Sequence, residues 1–420
     1  LDQLTLDGRV HGKLNDLKGD EMEITFDQQS TLAFDFAMIG LPDFKNTFLD
    51  YNFREFNSTV PAIYQLISAR HGPDNQSLYP WINMGNIDFK GQFTGYPDNF
   101  VASGFMQTDM GRMLMDLSFK PDSSMGIDFQ GQLRTGDFKL GEFLGQEELL
   151  SQLDMDVLVD GNLNDGAIHA DLKGSIDTLY FSDYAYSNIS LDGAFTNTTF
   201  NGGFSISDPN IRMDFLGRMD FSGEVPTYNF TADVARSRPH YLNLAVEDPN
   251  TFASFRIETD ITGSTLDELN GEVRLVNSLF ERNENQVQLY DVRLSALSTP
   301  DTTSLEIKSE MLDASIDGKF RLTSLPAALE NMADFYINYL PGKNPEIDTI
   351  NRFTYHADLY HVNPILDFFF PSIQIAEGSH VSGSYIPLQE KYDARGSFPE
   401  LEIGPGSWSD ASFLAATLDG

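Results

Sequence analysis

Residues 206–217 run Ile206-Ser207-Asp208-Pro209-Asn210-Ile211-Arg212-Met213-Asp214-Phe215-Leu216-Gly217. Asp-Pro-Asn suits a tight turn, because proline fixes φ at the second position and asparagine tolerates the left-handed region. After the turn the chain alternates: Ile211, Met213 and Phe215 share one parity, and Arg212 and Asp214 hold the other. Successive side chains of a strand point to opposite faces, so this segment predicts a strand with one buried face and one wet face. Gly217 closes the phrase, and glycine supplies the positive φ that turns and bulges need. The turn is echoed 40 residues later by Val246-Glu247-Asp248-Pro249-Asn250.

Outward from this phrase the same period dominates. Met22, Ile24 and Phe26 share a parity, followed by Leu32, Phe34, Phe36 and Met38. Met155, Val157 and Val159, then Ile168, Ala170 and Leu172, then Phe230, Ala232 and Val234 repeat it, mostly with polar residues between. One-sided alternation marks antiparallel or half-exposed sheet and not the continuous apolar runs of a parallel α/β core. Glycines recur at strand ends, as in Phe89-Lys90-Gly91 and Val159-Asp160-Gly161, with no strict repeat. The fold class expected is all-β. Helical insertions are expected near 59–69, 140–150 and 325–340, the last with Leu325, Leu329, Met332, Tyr336 and Tyr339 on one face and Pro341-Gly342 as its stop. Loops are expected at 70–80 and 341–348. The apolar parity fits either a sandwich core about 10 Å thick or a single sheet curled lengthwise so that its inner face is an apolar trough. The residues by themselves leave both open.

The chain has 420 residues, 63 acidic and 27 basic, hence 27 − 63 = −36 net charge, and no cysteine. That sign excludes a phosphate-backbone binder, so no nucleic-acid partner is expected, and it disfavours lying flat on an anionic membrane. Disulfides, thiolate metal sites and cysteine nucleophiles are excluded outright. Apolar residues at 41% and aromatics at 12%, with 33 Phe, place the chain among folded proteins. No run reaches the ~20 apolar residues of a membrane span. The first residue is Leu1, and the last residues fall in a strand-like pattern, so 1–420 is expected to be one continuous segment of a longer chain.

Catalytic signatures are missing. No HExxH, phosphate loop, GxSxG or dinucleotide fingerprint occurs, so no enzyme activity and no cofactor are expected. Asp154-Met155-Asp156 with Asp160-Gly161 faintly resembles a calcium loop, but its flanks alternate like strands where helices are required. His356 and His361 are the closest histidines, and an i, i+5 spacing puts them on opposite faces of a strand. Acidic neighbours such as Glu147/Glu148, and the sequons at Asn57, Asn188, Asn197 and Asn229, read as ordinary for acidic β structure.

Three phrases carry a family likeness: Gly131 to Gly145 (GQLRTGDFKLGEFLG), Gly174 to Gly193 (GSIDTLYFSDYAYSNISLDG) and Phe204 to Gly217 (FSISDPNIRMDFLG). They resemble the middle of the TamB family, the inner-membrane subunit of the translocation and assembly module in its Bacteroidetes form, with more distant AsmA-like relatives. The resemblance implies an elongated, twisted sheet folded lengthwise into an open apolar groove. It also implies a periplasmic location, anchoring in the inner membrane by an N-terminal helix outside this segment, and an outer-membrane barrel partner of the TamA/Omp85 type. The implied role is phospholipid movement to the outer membrane and assembly or secretion of outer-membrane proteins.

Under that resemblance Phe34, Phe36, Met38, Val157, Val159, Met213, Phe215, Phe230 and Val234 are the residues expected to face phospholipid acyl chains. Burying acyl chain is favourable by about 0.8 kcal/mol per methylene, and flexible Met adapts to a mobile guest. On the order of 24 strands at ~4.8 Å spacing would extend roughly 100 Å. The alternatives are a β-rich surface adhesin or carbohydrate-binding protein with closed cores and, behind it, a hydrolase using a carboxylate pair.

Overall fold

A computed structural model describes residues 4–26, 30–63, 84–121, 126–164, 167–244, 248–283, 285–325, 328, 351–387 and 391–415. Among them are 24 β-strands in antiparallel pairs, so the fold is all-β. The chain divides into two compact units, Leu1–Asp208 and Pro209–Gly420.

The first unit is a meander in which each strand pairs with the next. Its strands are β1 (Leu4–Lys13), β2 (Asp16–Phe26), β3 (Ser30–Ile39), β4 (Phe48–Thr59), β5 (Asn86–Tyr96) and β6 (Asn99–Thr108). They continue as β7 (Gly111–Pro121), β8 (Ile127–Gly136), β9 (Leu150–Asn164), β10 (Ala167–Phe181), β11 (Tyr184–Thr196) and β12 (Thr199–Ser207). Tight connections make this order possible. Ser182 and Asp183 link β10 to β11 with φ of 48° and 60°, the two positive values of a type I′ hairpin turn, whose twist matches that of the strands it joins.

The second unit opens with β13 (Ile211–Asp220), β14 (Thr227–Ser237), β15 (Thr251–Thr262), β16 (Asn270–Arg282), β17 (Asn285–Ser298) and β18 (Thr303–Ser309). It continues with β19 (Leu312–Lys319), β20 (Arg352–Leu359), β21 (Ile373–Ile375), β22 (Ser379–Ile386), β23 (Lys391–Ile403) and β24 (Gly406–Ala415). Pairing is sequential through β20, then runs β20 to β22 to β23 to β24, with short β21 alongside β23. The Asp-Pro-Asn echo before β15 forms its turn: the Asp248 carboxylate accepts the Asn250 N–H at 2.8 Å, and the Asp248 carbonyl accepts the Thr251 N–H at 3.1 Å.

The helical insertion expected near 140–150 is shorter than its pattern predicts. Near 140–150 the helix covers only Leu140–Leu144 and ends at Gly145, whose φ of 67° is the left-handed C-terminal stop, and β9 has begun by Leu150. Near 59–69 residues 60–63 are helical, and the remainder lies outside the described residues, as does most of 325–340 beyond Leu325 and Ala328. The loops expected at 70–80 and 341–348 also lie outside them. An unanticipated helix, Asn363–Phe369, starts with a proline in its first turn and seats Phe368 against Val287 and Met311.

Candidate functional site

Residues directly opposite in an antiparallel pair share a face, so register traces each face strand by strand. In the first unit one trace runs Val10–Gly19–Phe36–Tyr51–Phe93–Ala102 and continues Leu117–Gly131–Val159–Leu172–Gly193–Gly202. It crosses all twelve strands without a charged residue. A parallel trace runs Met38–Leu49–Gly95–Phe100–Phe119–Phe129–Gly161–Ala170–Phe195–Phe200. A third takes Phe34 through Phe53, Gly91, Gly104, Met115 and Leu133 to Val157, then on to Leu191 and Phe204.

Aromatic rings line this face as a ladder. Ring centroids lie 6.1 Å apart for Phe34–Phe53, 6.0 Å for Phe53–Phe89, 4.2 Å for Phe93–Phe100, 5.3 Å for Phe100–Phe119 and 6.5 Å for Phe119–Phe129. Glycines opposite the rings are what let them lie down. A Cβ on Gly104 would sit 2.7 Å from the Phe89 ring and 2.5 Å from the Lys90 carbonyl oxygen. Filling this position would therefore lift the ring and part the strands.

The second unit repeats the arrangement with more aliphatic residues. One trace runs Gly217–Phe230–Thr259–Val273–Leu294–Ile307–Ala314–Ala357–Val381–Gly396–Phe413. Its one polar member, Thr259, is buried and turns its hydroxyl onto the Phe230 carbonyl. Phe215 stands opposite Ala232, Met213 opposite Val234, and the Phe215 and Phe230 rings are 4.9 Å apart.

All nine residues singled out from the sequence fall on these apolar faces. Phe34, Val157, Val159, Phe215 and Val234 are buried, and Phe36, Met38, Met213 and Phe230 are half-buried. Within one strand, Val157 is 1% exposed and its neighbour Leu158 62%. Burial raises the hydroxyl pKa of Tyr51 and Tyr355 on the same faces. Tyr51, Phe53, Phe93, Phe100, Phe119 and Phe129 were missed in the sequence. For Phe93 and Phe129 the signal that finds them is Phe-x-Gly, with the glycine counted as an apolar position; Tyr51 and Phe53 alternate with Leu49, and Phe119 with Met113, Met115 and Leu117.

The opposite faces are charged and laced with ion pairs. In the second unit Asp233, Arg256, Glu258, Arg274 and Asp291 form a chain of contacts across β14 to β17. The Arg274 guanidinium donates to both Asp291 carboxylate oxygens at 2.8 Å and holds that carboxyl below its ordinary pKa. Two open depressions lie here, one around Lys120, Asp128, Gln130, Asp160 and His169, the other around Glu258, Asp260, Glu272, Arg274 and Arg293.

Asp154, Asp156, His356 and His361, weighed in the sequence, have local partners. Asp154 and Asp156 stand within β9, where Asp156 accepts from Arg134 and Gln132. His356 sits 3.0 Å from Asp358, and His361, beyond the end of β20, 2.6 Å from Glu377. Among the described residues no group of His, Asp and Glu could hold a metal ion, and no helix is long and apolar enough to cross a membrane. Comparison with family models, curated proteins and solved structures finds no match for this chain.

Proposed function

We propose that the apolar face of each unit carries phospholipid acyl chains, as part of a groove that conducts lipid through the periplasm toward the outer membrane. The observation that carries the proposal is the register: one row across all twelve strands of the first unit, and two parallel rows from β3 to β12, present only aliphatic, aromatic and glycine residues. A closed core would bury such rings fully, whereas Phe93, Phe100, Phe119 and Phe129 keep part of their surface accessible. At about 0.8 kcal/mol per methylene, a chain of sixteen carbons laid on this surface would gain on the order of 10 kcal/mol before ordering costs. The family likeness of the strand-turn phrases supports the same role, including a TamA-type barrel partner, support of outer-membrane protein assembly and an inner-membrane anchor. No step of bond making is required of the chain.

A photo-crosslinking residue placed at Phe215 or Phe230 in cells is expected to capture phospholipid, and one at Asp214, on the other face of β13, is not. Equal capture at both parities would refute the proposal.

A further inference from the structure

Some arginines of this acidic chain hold a carboxylate. Arg218, Arg256, Arg274 and Arg293 of the second unit all do. Among the arginines of the same unit that form no ion pair with any described residue are Arg212, Arg236 and Arg238. They are neighbours. Arg212 near the start of β13 is the direct cross-strand partner of Arg236 near the end of β14, and Arg238 follows two residues on. Like charges set opposite each other across a strand pair destabilise it.

Aromatic rings hold two of these groups, Arg236 and Arg238, in place. The Arg236 guanidinium lies 4.3 Å from the centre of the Phe252 ring at the start of β15. The Arg238 guanidinium lies 4.2 Å from the centre of Tyr241 and 5.7 Å from that of Phe252. The Nε of Arg238 is buried with no hydrogen-bond partner, and a buried donor left unmade is costly. Asp233 on the same strand is turned to Arg256, and Glu281, the register partner of Phe252, forms no ion pair with the cluster. Arg212, Arg236 and Phe252 all lie at the same ends of their strands, at one lip of the sheet.

We propose that Arg212, Arg236 and Arg238 form a binding site for a phosphate group. Guanidinium forks match phosphate oxygens bidentately, and stacking on Phe252 and Tyr241 fixes the planes of Arg236 and Arg238 before the ligand arrives. Phosphate would supply an acceptor for the Arg238 Nε and relieve the repulsion between Arg212 and Arg236. The group can belong to a phospholipid head held on the charged face at this lip, the face of Asp214, with its tails turning over the lip onto the apolar face in keeping with the function proposed above, or to a soluble phosphate. The arginine site itself does not depend on that function.

The test is calorimetric titration of the 420-residue chain with inorganic phosphate and, separately, with a short-chain phosphatidylglycerol below its micelle concentration. Both are expected to bind, the lipid more tightly. Arg236→Gln with Arg238→Gln is expected to weaken both by about tenfold or more, and the exposed single change Arg212→Gln to weaken them in the same direction with the fold intact. Arg218→Gln, whose guanidinium is already paired, is expected to change neither. If the lipid binds no better than inorganic phosphate while both depend on the arginines, the site stands with a soluble ligand and the acyl-chain function fails. Absence of binding by either ligand to the unaltered chain, or binding that the arginine changes leave intact, would overturn the site.

Discussion

Val157 and Leu158 are adjacent in β9 and should respond oppositely to truncation. Val157, 1% exposed, sits between Leu133 and Gly174 in the register, with its Cγ1 only 3.1 Å from where a Cβ of Gly174 would be. Val157→Ala removes two buried methyl groups worth ~0.8 kcal/mol each, and the unfilled space adds to that, for a cost of about 2–3 kcal/mol. Leu158, 62% exposed between Gln132 and Lys173, should cost no more than ~0.5 kcal/mol when cut to alanine. Amide hydrogen exchange across β8, β9 and β10 reads the difference locally, without assuming that the whole chain unfolds in one step. Val157→Ala should raise exchange there by roughly 30- to 150-fold, at 1.4 kcal/mol per tenfold, and Leu158→Ala by little. Comparable acceleration by the two changes would refute the assignment of faces.

Gly104→Val should destabilise the first unit by about 1–3 kcal/mol, since its Cβ would meet the Lys90 carbonyl and the Phe89 ring; an unchanged melting temperature would contradict the packing. Asp109 accepts from the Asn86 backbone and side-chain amides, which lower its carboxyl pKa. A carboxyl depressed in the folded state adds stability above its unfolded value of ~3.9 and loses it as pH falls through the folded value. The cost of Asp109→Asn in denaturant titrations should therefore shrink below about pH 4, and a pH-independent cost would count against it. Burial, with smaller contributions from Tyr184 and Asp208, pushes the Tyr186 hydroxyl up to about 12. Because an unfolded tyrosine ionises first, near 10, stability should fall between those two pH values, and Tyr186→Phe should flatten that fall.

Strands were legible because their signal is local. Alternation within Ile211–Phe215 or Met155–Val159 needs no knowledge of partners, and each of the nine residues chosen that way lies on an apolar face. The aromatic ladder of β4 to β8 is only partly legible: Leu49, Tyr51 and Phe53, and Met115, Leu117 and Phe119, alternate locally, but two physical features hide the rest. Glycines at Gly91, Gly95 and Gly104 take apolar positions yet score as neutral, which interrupts the count. In addition, the register shift between Phe53 and Phe56 puts residues three apart on one side, since their partners Gly91 and Phe89 are two apart. The arginine cluster is invisible for a different reason: Arg212 and Arg236 are brought opposite each other only by the β13–β14 pairing. The Asn363–Phe369 helix is too short to establish a 3.6-residue period.

Whether lipid occupies the apolar face is tested most directly by native mass spectrometry of the chain purified without detergent. Co-purifying phospholipid is predicted. It should be lost on Phe93→Asp together with Leu172→Asp, both in one register row, and kept on Val101→Asp, which alters the opposite face. A chain that carries no phospholipid, or one whose lipid survives Phe93→Asp with Leu172→Asp, would contradict the account.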